Sequence, residues 1–136
     1  GVFSGNPSLE SIDIPDSVIS IGNNAFANCT ALDNVVIPDG VTELNGTFRG
    51  CTSLTNVKIG SGVTTIGAYT FYNCSSLESI FIPNSVVEMN NLYNQATFAG
   101  CTSLVDITID NIEHAVSGWY GNWGAPNDDL VITYLR

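Results

Sequence analysis

The sequence predicts a solenoid in which short parallel strands stack into one curved sheet, with irregular or 3₁₀ segments on the opposite face. Three observations support this prediction. A leucine returns along the 136-residue chain at spacings of 23, 22, 23 and 27 residues, and other apolar positions keep a fixed register around it. After each leucine, apolar side chains alternate with period two, and three units then place a proline. Because a unit this short cannot bury its own apolar edge, neighbouring units must stack.

Equivalent positions of successive units form columns when the units stack, and seven such columns are mainly apolar. Three of them mark the start and spacing of each unit. The anchoring leucines are Leu9, Leu32, Leu54, Leu77 and Leu104. Six residues before each of them is a phenylalanine: Phe3, Phe26, Phe48, Phe71 and Phe98. Three residues before each leucine lie Asn6, Cys29, Cys51, Cys74 and Cys101. Stacking turns each column into a ladder inside the core.

The first unit shows how local structure is predicted. Ile12, Asp13 and Ile14 alternate, which indicates a short strand with both isoleucines inward. Pro15 ends the strand because it lacks an N–H and has a fixed φ. The following segment, residues 22–28, is too short for a full helix, so we expect a 3₁₀ turn or irregular coil. At the other end, residues 131–135 predict a last strand on the stack or one folded back on it.

The four cysteines occupy a single repeat position and include no Cys-x-x-Cys pair. Side chains at one position of stacked rungs point the same way, which suits a ladder of small buried thiols better than disulfide geometry. The spacing is also unlike that of zinc sites. We therefore expect free thiols, no metal and no cofactor.

The charge balance excludes two classes of partner. The chain has 3 Lys plus Arg against 13 Asp plus Glu, a formal net charge of -10. Such a surface cannot neutralise a run of phosphates, and it is repelled by anionic lipids. No uncharged stretch is apolar enough for a transmembrane helix. We expect neither nucleic-acid binding nor membrane insertion.

Residues 9–18 read Leu-Glu-Ser-Ile-Asp-Ile-Pro-Asp-Ser-Val, and the Ile-Pro-x-Ser-Val core returns at residues 82–86, with Ile-Pro-Asp-Gly-Val at residues 37–41. On these motifs the chain resembles the BspA-type, or Treponema pallidum-type, leucine-rich repeats over roughly residues 3 to 109. The resemblance implies a horseshoe or gently curved leucine-rich-repeat solenoid from a bacterial, often host-associated, surface or secreted protein. It implies adhesion or protein binding and no catalytic residues.

The repeat predicts the domain organisation. Residues 1–110 form about five repeats of 22 to 27 residues, and residues 111–136 form a C-terminal cap. The chain opens in mid-unit, so we expect earlier rungs upstream. The fourth unit has about four extra residues within residues 90–97, which include Tyr93. This insertion is predicted to be a tolerated loop, with a functional loop as the alternative.

The C-terminal segment contains both tryptophans of the chain. A solenoid needs an atypical end to cover its last apolar rung, which favours packing of these rings in a cap. The alternative is an aromatic platform for carbohydrate or protein, because Trp and Tyr rings combine apolar area with a polar group. The residues of this alternative site are Tyr93, Trp119, Tyr120 and Trp123.

The outward strand positions predict the main binding surface. They form two columns of short polar and scattered apolar side chains. The first is Ser11, Asn34, Asn56, Ser79 and Asp106, and the second is Asp13, Val36, Lys58, Phe81 and Thr108. Val36 and Phe81 are the candidate apolar anchors for a docked protein or peptide.

Three functions remain as hypotheses. The first is a non-enzymatic, monomeric cell-surface or secreted module that binds a protein ligand, host proteins included, through this sheet. The second is a structural spacer in a longer surface protein. The third is carbohydrate binding through the tryptophan-rich segment.

Overall fold

The computed structural model describes residues 1–89, 96–110 and 123–135. These residues form a solenoid of short parallel strands with no helix among them. The strands are β1 (Asn34–Val36), β2 (Glu43–Leu44), β3 (Asn56–Lys58), β4 (Thr65–Ile66), β5 (Ser79–Ile82), β6 (Glu88–Met89), β7 (Asp106–Ile109) and β8 (Val131–Tyr134). The predicted fold class is confirmed.

The strands lie in two rows rather than one. In the first row β1 pairs with β3, and β5, β7 and β8 form a second ladder beside them. The second row, β2-β4-β6, was not predicted. Its inward side chains, Leu44, Ile66 and Met89, are a buried column that the repeat did reveal. Two-residue strands have too few positions to show an alternation, so the pattern gave no strand signal there.

Two details of the first row differ from a single continuous sheet. Among the described strands, β3 and β5 are neighbours that no ladder joins. The predicted strand around Asp13 is reduced to one parallel bridge between Ser11 and Asn34. That bridge still sets the register, since it places Asp13 beside Val36, two residues further along each segment.

At the other end of the row, β8 extends the stack. Its four residues pair in parallel with β7, from Asp106 opposite Val131 to Ile109 opposite Tyr134. This confirms the first of the two alternatives for residues 131–135. The strand adds Ile132 to the partly buried side chains around the core.

The phenylalanine column is a ladder of stacked rings. Successive centroids from Phe3 to Phe98 lie 5.5, 5.7, 5.8 and 5.6 Å apart, and no pair of planes departs from parallel by more than 9°. Phe48, Phe71 and Phe98 are completely buried. The rings run through the core along the stacking direction, as the column predicted.

The segments opposite the sheet form what we call the turn face: residues 22–29, 45–51, 67–74 and 96–101. Each contains hydrogen-bonded turns, as in the bonds from the Ala25 N–H to the Gly22 carbonyl and from the Cys29 N–H to the Phe26 carbonyl, both 3.1 Å. Adjacent turns are also joined, since the Phe26 N–H donates to the Thr47 carbonyl at 3.0 Å. The turn face therefore satisfies its buried backbone groups without helix or strand.

The cysteines are free and buried, as predicted. Each thiol donates to the phenylalanine carbonyl of the preceding rung, for example Cys51 Sγ to the Phe26 carbonyl at 3.1 Å and Cys74 Sγ to the Phe48 carbonyl at 3.2 Å. Burial raises the pKa of the Cys51 thiol, and likewise that of Cys101, to about 12. Buried neutral thiols of this kind are poor nucleophiles and poor metal ligands.

Candidate functional site

The outward side chains of the first row form the sheet face, which we define by the ten residues predicted from the sequence. The register aligns them as expected. Asn34 lies opposite Asn56, Val36 opposite Lys58, Ser79 opposite Asp106 and Phe81 opposite Thr108. Eight are exposed, and Asp106 and Thr108 are half-buried. Within each strand a buried residue separates the two outward ones, as Val57 does in β3.

Two of these ten side chains are apolar, and β8 extends the first column with a third apolar group, because Val131 lies opposite Asp106 and is 58% exposed. Val36 is 57% exposed and Phe81 is 46% exposed. Lys58 lies between them in the same column, so the apolar groups are about two strand spacings, or roughly 10 Å, apart. A central pair of apolar groups within a polar rim is the arrangement typical of protein interfaces.

The polar groups around this pair are partly ordered by hydrogen bonds. The Thr108 hydroxyl donates to the Asp106 carboxylate at 3.2 Å, which links the two columns at one end of the face. Beyond β1, the Ser61 N–H donates to the Asp39 carboxylate at 2.8 Å. This hydrogen bond is the main reason why the pKa of Asp39 is lowered. The positive charge of Lys58 lowers the pKa by a smaller amount.

Of the alternative aromatic site, Trp123 is the member that the structure describes. Trp123 is only 2% exposed, and its ring meets Phe98 edge to face, with centroids 6.4 Å apart. Its carbonyl accepts from the Phe98 N–H at 3.0 Å. The indole therefore covers the end of the phenylalanine ladder, and almost none of its surface is exposed. Tyr93, Trp119 and Tyr120 lie outside the described residues.

The turn face carries a cluster that the sequence analysis did not single out. Arg49 lies over the rings of Tyr69 and Tyr72, beside a groove of about 490 Å³. Two signals could have revealed it. Arg49 is one of three cations in the chain, and Tyr69 stands where the preceding units have Asn24 and Gly46.

The described residues contain neither a metal-binding cluster nor a membrane-spanning helix. Within the described residues, no cluster of three or more His, Cys, Asp or Glu side chains could hold a metal ion. The same part of the chain has no helix of the length and apolarity needed to cross a bilayer.

Solved structures of similar fold share low sequence identity with the chain. A leucine-rich repeat protein from Bacteroides capillosus is 27% identical, with a TM-score of 0.63, over 75% of this chain and 78% of that one. A leucine-rich cell surface protein from Faecalibacterium prausnitzii is also 27% identical, with a TM-score of 0.55, over 75% of this chain and 39% of that one. The pneumococcal vaccine antigen PcpA, 20% identical with a TM-score of 0.67, is matched by 76% of this chain.

The lengths of these proteins differ from that of the chain. The chain spans only 25% of the pneumococcal antigen and 39% of the Faecalibacterium protein. No curated protein matches the chain in sequence. The sequence profile of the BspA type leucine-rich repeat region, however, matches residues 1–117 in six copies. The chain therefore belongs to the BspA-type leucine-rich repeat family.

Proposed function

We propose that the chain is a non-enzymatic protein-recognition module of a cell-surface or secreted protein, and that it binds its ligand through the sheet face. The observation that carries the proposal is the exposed pair Val36 and Phe81 on a surface of mainly polar side chains. Removing these side chains from water in a complex would supply part of the binding free energy. The surrounding Asn and Ser side chains would supply hydrogen bonds at the rim.

The paired strands support an extended interface. The strands hold neighbouring outward side chains at fixed spacings because the register is continuous from Asn34 to Asn56 and from Ser79 to Asp106. A rigid surface loses little conformational entropy on binding. The family membership supports the same proposal, since repeat solenoids use such extended surfaces to bind partners. The Faecalibacterium relative is a cell surface protein, which supports a surface location here.

The test is surface plasmon resonance of the purified chain against purified host plasma and extracellular-matrix proteins at physiological salt. Phe81→Asp should weaken a saturable interaction by at least tenfold, because it buries a charge where an aromatic ring had packed. Val87→Asp is the matched control: Val87 is 47% exposed, against 46% for Phe81, but lies beside the second row of strands. The control should bind as the unchanged chain does.

Two outcomes would contradict the proposal. Equal losses in both variants would place the binding elsewhere or reveal a general effect on folding. Absence of binding to every protein on the panel would favour the spacer hypothesis, for which the continuous buried ladder provides a stiff rod.

A further inference from the structure

The turn face presents an arginine held by two aromatic rings. The Arg49 Cζ lies 4.9 Å from the ring centroid of Tyr69 and 5.4 Å from that of Tyr72. The two rings meet edge to face, 5.4 Å apart at 89°. Cation–π contacts of this kind hold the planar guanidinium in one place and leave its N–H edges available.

Those N–H groups have no protein acceptor in the part of the chain that the structure describes. Arg49 itself is exposed. A guanidinium has five donors arranged to pair with a planar carboxylate. In a chain with 13 acidic residues, a cation that pairs with none of the described carboxylates is free to pair with a ligand.

The backbone of Tyr69 is a second, independent sign of a site. Its φ is 60°, in the left-handed region, where Asn24 and Gly46 stand in the preceding units with φ of 56° and 58°. Asn and Gly are at ease in this conformation, whereas a bulky aromatic residue is an outlier. Residues held in such conformations cluster at ligand sites.

A polar groove lies beside Arg49. Its volume is about 490 Å³, within the range of small-ligand sites. Asn24, Asn28 and Asn73 line it, together with Tyr72. The amide oxygens of the three asparagines pack against the glycine of the next rung, at Gly46, Gly50 and Gly100, so their NH₂ groups are the donors for sugar hydroxyls. Tyr72 supplies an apolar surface for the C–H groups of a pyranose ring.

We propose that this groove binds a terminal acidic sugar, such as a sialic or hexuronic acid. Arg49 pairs with the sugar carboxylate, and the asparagine amides bind its hydroxyls. The net charge of -10 argues against acidic peptides and polyanions, which the whole molecule repels, while a single carboxylate meets mainly the local cation. This site is separate from the sheet face, so it stands or falls independently of the proposed protein binding.

The test is an NMR titration of the ¹⁵N-labelled chain with methyl β-glucuronide, the methyl glycoside of N-acetylneuraminic acid and methyl β-glucoside. The glucuronide and glucoside differ only in the carboxylate. The acidic sugars should shift the Arg49 Nε–H signal and the asparagine side-chain signals in a saturable way. The glucoside should bind at least tenfold more weakly, as expected for loss of a charge-assisted pair.

Three variants sharpen the test. Arg49→Gln should lose at least tenfold in affinity for the acidic sugars. Tyr69→Gly installs the residue that the preceding unit, at Gly46, uses in this conformation, so it should fold and yet bind more weakly. Arg136→Gln removes another cation of the chain and should bind the acidic sugars as the unchanged chain does.

Several results would overturn the proposal. They are absence of saturable shifts with either acidic sugar, equal affinity for the glucoside and the glucuronide, and unchanged affinity in Arg49→Gln. If an acetylated tri-glutamate peptide shifts the Arg49 signals and the sugars do not, the groove belongs to a protein partner instead.

Discussion

At the residue scale, the left-handed position after each phenylalanine alternates between glycine and asparagine. Gly5, Asn28, Gly50, Asn73 and Gly100 occupy it, all with positive φ. The alternation has a steric cause. A Cβ on Gly50 would lie 2.2 Å from Asn28 Oδ1, so an asparagine on one rung requires a glycine on the next. This rule is invisible to an analysis of apolar periodicity, because neither residue type belongs to the core pattern.

Gly50→Ala should therefore lower the free energy of unfolding by about 1 to 3 kcal/mol, from the backbone conformation and the contact with Asn28 together. Urea denaturation followed by circular dichroism measures it. Gly22→Ala is the control, since a Cβ there meets nothing within 4 Å. The control should be neutral or stabilising by up to about 1 kcal/mol. Equal losses in the two variants would contradict the steric explanation.

At the element scale, the ladders are the features that the sequence predicted best. The Phe, Cys and Leu columns are apolar, regularly spaced and buried. The position of each side chain in one repeat therefore predicts the position of its equivalent in the next repeat. Departures from the repeat were harder to predict. For Trp123 the sequence favoured packing in a cap and left an aromatic platform as the alternative, and the rung against which the ring packs, that of Phe98, was not specified. An irregular segment packs against the rung that precedes it in the stack. The spacing of residues in the sequence does not specify which side chains of that rung it covers.

The phenylalanine ladder should contribute most where it is completely buried. Phe48→Ala removes a ring that stacks between Phe26 and Phe71 and should cost about 3 to 5 kcal/mol of stability. Phe3→Ala is the matched variant at the ladder's end, where the ring is still 39% exposed, and it should cost clearly less. Denaturation midpoints of the two variants measure the two losses of stability. Similar losses would mean that stacking, rather than burial, dominates the ladder.

The cysteine ladder predicts a pH dependence. The pKa of the Cys51 and Cys101 thiols is about 12 in the folded state, against 9.0 for the unperturbed group. Between these values the unfolded chain has released the protons while the folded chain retains them, so stability is greatest below about pH 9 and falls as the pH rises toward 12. Denaturation midpoints measured from pH 7 to pH 11 should show this fall. A flat profile above pH 9 would contradict the burial of the thiols.

At the scale of the whole molecule, the chain combines a stiff core with a strongly acidic surface. The core and strand register followed from the repeat, and so did the sheet-face columns. The Arg49 cluster did not, because its residues come from two different units and only stacking brings them together. The net charge of -10 belongs to no single site, and it acts on the approach of any partner.

For a basic protein ligand, the association rate constant should fall steeply as sodium chloride is raised, while the dissociation rate constant changes little. Stopped-flow or surface plasmon resonance at several salt concentrations separates the two. An association rate that does not depend on salt would show that the acidic surface has no part in recognition.

The central claim is that the sheet face is the binding surface. The most direct measurement is cross-saturation NMR of the labelled chain in complex with a partner from the binding panel. Saturation should transfer to the amides around Val36, Lys58 and Phe81 and leave those around Val87 and Cys51 unaffected. Transfer centred on the turn face, with the sheet face silent, would contradict it.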